Sequence, residues 1–106
     1  MSDAPKLALR LSSAMSADAC VRLAVVAEQS GFSTVWFAEN PYQRGVLPAV
    51  AACAGATGHI GLGVGVFNPY NRHPTLMAME MGALDELSGG RAILGIGSGV
   101  PAWVER

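Results

Sequence analysis

The sequence predicts an α/β fold on a parallel sheet, in the order β-α-β-α-β-α-β: the first half of a (β/α)8 barrel, or a small doubly wound sheet. Three observations carry this. Four short apolar runs, at residues 6–11 (KLALRL), 34–38 (TVWFA), 60–67 (IGLGVGVF) and 92–96 (AILGI), alternate with three stretches of helical pattern. The runs start roughly 25 to 30 residues apart, the repeat of a strand, a helix and two loops. They are apolar rather than alternating, as burial on both faces demands. A complete barrel takes about 250 residues; this chain has 106, which is room for four strands.

The elements follow in order. Residues 6–11 suit a buried strand. Ser16 is placed as an N-cap, its hydroxyl able to accept a first-turn amide, with Asp18 near the positive end of the helix. Cys20, Leu23, Ala24 and Ala27 continue at helical spacing. Gly31 ends that helix, since glycine enters the left-handed conformation cheaply. The β-branched and aromatic run 34–38 is the second strand, and a polar loop covers 39–45. A second helix spans about 46–54, with Pro48 near its start and Gly55 at its end. After the third strand, NPYNRHP forms a loop whose Pro74 suits a first helical turn, where no N–H is needed. In that third helix Leu76, Ala83 and Leu87 keep one face, joined by Met77, Met81 and Leu84, and Ser88-Gly89-Gly90 stops it. Gly97-Ser98-Gly99 leaves the fourth strand.

Composition narrows the function classes. The chain is 51% hydrophobic and 14% charged, against a usual charged share of about 25%. Either a partner or further chain covers part of its surface, or much of it is buried on two sides. A net charge of −1 without a basic run argues against nucleic acid and anionic membranes as partners. Cys20 and Cys53 have no metal-ligand spacing around them and read as small core residues in a reducing compartment. No apolar run approaches the roughly 18 residues of a membrane span. Asp3 and Arg10 spoil a signal peptide, so a soluble cytoplasmic protein is expected.

Polar residues gather where each strand stops, and in parallel α/β proteins those ends hold the ligands. They are Glu39 and Asn40 after the second strand, Asn68 after the third and Ser98 after the fourth. On the residues alone, Gly65-Val66 is an ordinary glycine bulge, Glu39 a solvated loop charge and Asn68 an Asx-turn residue. Neither GLGVGV nor GIGSGV has the G-x-G-x-x-G spacing of a dinucleotide loop. His73, at a helix start, and Arg72 are assigned structural roles. His59 opens a strand at the opposite end and is expected on the surface.

Taken together, GFSTVWFAEN, GLGVGVFNPYNRHP and LDELSGGRAILGIGSG resemble the N-terminal part of the luciferase-like flavin and deazaflavin oxidoreductases. The nearest branch is the coenzyme F420-dependent one that includes methylenetetrahydromethanopterin reductase. The resemblance implies a TIM barrel of which residues 1–106 form one partial domain. It also implies a cofactor ring, F420 or alternatively FMN, in the barrel's C-terminal mouth. The implied activity is hydride transfer between F420 and a small organic substrate. The alternatives are an FMN-dependent monooxygenase, or a half-barrel without catalysis that oligomerises or awaits its C-terminal half. In such proteins a bulge with a non-proline cis peptide backs the ring, a position that maps onto Gly65-Val66. Glu39 would touch the cofactor, Asn68 would donate to the ring edge, and Ser98 and Gly99 would offer a hydroxyl and backbone N–H groups.

Two departures bear on the chemistry. The F420-dependent sugar-phosphate and alcohol dehydrogenases of the family carry histidine where Asn40 stands, and the sugar-phosphate enzymes carry glutamate where Val100 stands. Taking a hydride from an alcohol needs a base for the hydroxyl proton, which neither Asn nor Val supplies. The family's phosphate site draws on later strands. The chain by itself is therefore expected to bind cofactor poorly and, with open sheet edges, to associate or precipitate.

Overall fold

Among the described residues of a computed structural model, 6–40, 43–67 and 73–96, seven elements follow one another. They are β1 (Ala8–Ser12), α1 (Ala17–Gln29), β2 (Thr34–Ala38), α2 (Leu47–Ala56), β3 (Gly61–Phe67), α3 (Pro74–Ser88) and β4 (Ala92–Ile96). The strands form one parallel sheet in the order β1-β2-β3-β4. A doubly wound sheet reverses its order at a switch point and carries helices on both faces. Here the order never reverses, α1 packs on α2, and α2 packs on α3. The helices therefore form one layer, and the architecture is a partial (β/α) barrel.

Register sorts the strand side chains onto two faces. Leu9, Val35, Leu62 and Ala92 form one row and Leu11, Phe37, Val64 and Leu94 the next. Most of these enter the core with Cys20, Ala24 and Ala27 of α1, Val50 and Cys53 of α2, and Met77, Met81 and Leu84 of α3. Each fully buried Val, Leu or Phe contributes about 1.5–3 kcal/mol. The opposite row, Arg10, Trp36, Gly63 and Ile93, faces what would be the barrel interior.

The apolar surplus of the composition has a definite location. Exposed large apolar side chains lie on the outer elements: Leu23 and Val26 on α1, Leu76, Met79 and Leu87 on α3, Ile93 and Leu94 on β4. None of those described lies on β2, α2 or β3, which have neighbours on both sides. A layer interrupted partway round a barrel leaves this pattern.

Local signals behave largely as expected. Ser16 Oγ accepts the Ala19 amide at 3.2 Å, Gly31 has φ +83°, and β2 and β4 occupy the predicted positions. Three expectations need correction. Gly55 does not end α2, which runs to Ala56. Its last carbonyls are satisfied instead by Thr57 Oγ1, 2.7 Å from Cys53 O, and by Arg91, 3.0 Å from Ala54 O. On α3 the buried face is Met77, Met81, Leu84 and Ser88, while Leu76 and Leu87 are 43% and 59% exposed. Two apolar stripes run along that helix, and the layer covers only one. Finally, β1 alternates, with Arg10 and Ser12 exposed, because its inner side is uncovered.

Charged side chains staple the edge where the strands begin. The Glu28 carboxylate accepts the amides of Gly58, His59 and Ile60 at 3.0, 2.7 and 2.9 Å. Those bonds favour its ionised form and hold its pKa below the usual carboxylate value. Arg91 donates to Ser88 O, Thr57 Oγ1, Ile60 O, Ala54 O and Thr57 O. Asp85 Oδ1 accepts the Ala92 amide at 3.2 Å, and Gly89, φ +69°, caps α3 in the left-handed conformation. The LDELSGGRA motif is thus a structural clamp at the edge opposite the strand tails. His59 lies at this edge and is exposed, as expected.

Cys20 and Cys53 are free and buried in the core. Burial raises both thiol pKa values, that of Cys53 to about 11. No helix among the described residues is long and apolar enough to cross a membrane.

Candidate functional site

Because the strands are parallel and adjacent, their tails share one edge. Glu39, half-buried, follows the last residue of β2 directly, and Gly65 and Val66 lie in the last turn of the pleat of β3. The structure therefore brings Glu39 and Gly65-Val66 to the same end of neighbouring strands. Asn68, Ser98 and Gly99, together with Arg72 and Val100, lie outside the described residues.

Gly65-Val66 is where the ladder breaks. Val64 pairs with Leu94 and Phe67 with Ile96, so a three-residue step on β3 faces a two-residue step on β4. This is the bulge expected there. An extra residue on one strand leaves a peptide group outside the regular ladder.

On the inner face, β3 presents Gly61, Gly63 and Gly65 in succession, and the Trp36 indole lies across the last two. A Cβ at Gly63 would fall 2.6 Å from Trp36 Cζ3 and 2.8 Å from Cδ2. One at Gly65 would fall 3.0 Å from Cε3 and 3.1 Å from Cζ3. The glycine row does accept a flat ring, and within this chain that ring is the indole.

Asn40 is locked in a neutral network. Its amide donates to Ser13 Oγ at 3.3 Å, its Nδ2 donates to Gln43 Oε1 at 3.2 Å, and Ser13 Oγ donates to the same oxygen at 2.7 Å. These bonds tie the β1–α1 loop to the β2–α2 loop, and none of the three side chains is a base at neutral pH. In the sequence Ser13 and Gln43 are marked only as polar residues beyond strand ends.

Among the described residues, two cavities adjoin this edge. One, of about 220 Å³, is lined by Arg10, Leu11, Ser12, Ala38 and Asn40 and reaches the inner face. The other, of about 350 Å³, lies on the helix side between the starts of α1 and α2, with Leu11, Cys20, Phe37 and Val46 in its walls and Arg44 beside them. His73 caps α3, its Nδ1 accepting the Thr75 amide at 3.1 Å, which is a structural role. Among the described residues no group of three or more His, Cys, Asp or Glu side chains is placed to hold a metal ion.

Residues 3–106 match the family model described as luciferase-like monooxygenase. A 5,10-methylenetetrahydromethanopterin reductase of Methanolobus tindarius is 46% identical over 79 residues, covering 74% of this chain and 24% of the reductase. The solved coenzyme F420-dependent tetrahydromethanopterin reductase of Methanopyrus kandleri superposes with a TM-score of 0.88 at 33% identity, covering 94% of this chain and 29% of that one. The FMN-bound oxygenating component of a Pseudomonas putida diketocamphane monooxygenase, at 24% identity, covers 92% of this chain and 30% of its own. It shares the fold alone, with a TM-score of 0.83. The chain spans about a quarter of the length of the curated relatives it matches. On its sequence and its fold, the chain belongs to the luciferase-like monooxygenase family.

Proposed function

We propose that the chain forms the N-terminal part of an oxidoreductase that passes a hydride between coenzyme F420 and a small organic substrate, with the deazaflavin ring held against the tails of β2, β3 and β4. The observation that carries this is the bulge at Gly65-Val66, which falls at the strand-tail edge beside Glu39. Similar proteins named as coenzyme F420-dependent, one a tetrahydromethanopterin reductase and one an oxidoreductase, support the choice of cofactor.

The residues present fit such a ring. A peptide outside the ladder offers an N–H and a carbonyl to a heterocycle edge, and the Trp36 indole already covers the glycine row beneath it. When bound, F420 supplies a ring carbon that gives or takes a hydride. Gly65-Val66 would back the ring, and Glu39, Asn68, Ser98 and Gly99 would hold its edge and side chain. The neutral Asn40–Ser13–Gln43 network supplies no base, which favours giving a hydride to an activated carbon over oxidising an alcohol. We place residues 1–106 in one partial domain, in a reducing cytoplasm where Cys20 and Cys53 stay thiols. The exposed apolar residues of α1, α3 and β4 are covered by the C-terminal half of the barrel or by a second copy. The alternative, an FMN-dependent monooxygenase, draws on the shared fold.

The test is a parallel titration with F420 and FMN, followed by absorption. F420 should shift at the lower concentration, though weakly, because the strands that hold phosphate in TIM barrels come late in the fold. Gly65→Val should abolish the shift. Preference for FMN would favour the monooxygenase, and no response to either would sink both.

A further inference from the structure

We infer that Trp36 is a positioning residue: by packing across Gly63 and Gly65 it holds the Gly65-Val66 bulge in place and floors the ring site. Its bearing on the ring rests on the proposed function above; its bearing on the bulge does not.

Trp36 stands on β2 opposite Gly63, on the face away from the helices, and is absent from the core cluster. Filling the core is therefore not its role. Atoms Cε3 and Cζ3 of its benzo ring reach along β3 to Gly65, one residue short of Val66. A strand with glycine at three successive inner positions has no inner side chains of its own to fix its path. A bulge in such a strand is weakly specified and free to slip. A rigid indole laid along the row supplies the missing contact, and only glycine at position 63 leaves room for it. The strand-tail peptide is thereby held relative to Glu39, whose strand carries the indole three residues earlier. Displacement of a binding group by about 1 Å is enough to weaken its action many-fold.

The experiment measures amide hydrogen exchange by NMR, and F420 titration, on the wild-type chain, Trp36→Phe, Trp36→Ala and Gly63→Ala. Trp36→Ala should speed exchange at Gly65, Val66 and Phe67 about tenfold or more, the mark of local opening, while Val35 and Leu62 keep their protection. Trp36→Phe should restore most of the difference. Gly63→Ala, which displaces the indole without removing it, should loosen the same amides and serves if Trp36→Ala does not fold. F420 binding should weaken in parallel, by about tenfold for Trp36→Ala. Unchanged bulge amides in Trp36→Ala and Gly63→Ala overturn the inference whatever the cofactor does. A loosened bulge with undiminished F420 binding upholds the hold on the bulge and overturns its bearing on the ring. A loosened bulge in a chain whose wild type ignores F420 upholds the hold on the bulge and overturns the cofactor reading instead.

Discussion

The carboxylate of Glu28 near the end of α1 accepts the amide of Ile60, 32 residues later, at 2.9 Å. Two further amides, of Gly58 and His59, converge on the same group. One side chain thus orders the turn that delivers the chain into β3, whose far end carries the bulge.

This arrangement makes stability depend on acid. The native Glu28 pKa is depressed by those amides, whereas the unfolded carboxyl titrates near about 4.3. Below neutrality the unfolded chain therefore binds the proton first. The contribution is complete above the unfolded pKa and disappears as pH falls through the lower native value. Urea midpoints from pH 7 to pH 3 should fall in the wild type, and Glu28→Gln should flatten that part of the decline attributable to this group. Parallel curves for the two proteins would show that the amides do not depend on the charge.

Arg91 clamps the same edge with five donated bonds, four of them to carbonyls. Arg91→Met leaves carbonyls of residues 54, 57 and 60 short of partners and should cost about 2 kcal/mol or more. The urea midpoint would drop with little change of slope. Arg91→Lys should recover only part of the loss, since an ammonium cannot fork to oxygens on both sides. F420 affinity, measured at a urea-free pH 7, should hold for any fraction that stays folded, because this edge is opposite the strand tails.

Cys20 and Cys53 are buried beside one another's helices, with the Cys53 thiol pushed up to about 11. Neither should react with a disulfide reagent at pH 7.5 on the timescale of a surface thiol. Both should react at once in denaturant. Fast reaction of one thiol in native buffer would reveal opening between α1 and α2.

Much of the scaffold was legible because its causes are local. The run TVWFA is β-branched and aromatic between polar flanks, and Ser16 and Gly31 cap by their own chemistry. The end of α2 was not legible from Gly55, because it is set by Arg91, 37 residues from Ala54. The buried face of α3 was misjudged because its leucine and methionine stripes are equally periodic, and only the neighbouring layer selects between them. At the candidate site, parallel topology announced the strand tails and glycine announced the bulge. The Ser13–Gln43 bond, across 30 residues, and the Trp36–Gly63 contact, which depends on register, are products of the fold and left no local trace.

The most direct test of the strand-tail site is a map of backbone amide shifts as F420 is added to the chain. The largest changes are expected at Glu39, Gly65 and Val66, with Gly58, Ile60 and Arg91 at the other edge unmoved. Changes centred instead on Cys20 and Val46 in the helix-side cavity, or on the Glu28–Ile60 turn, would contradict it.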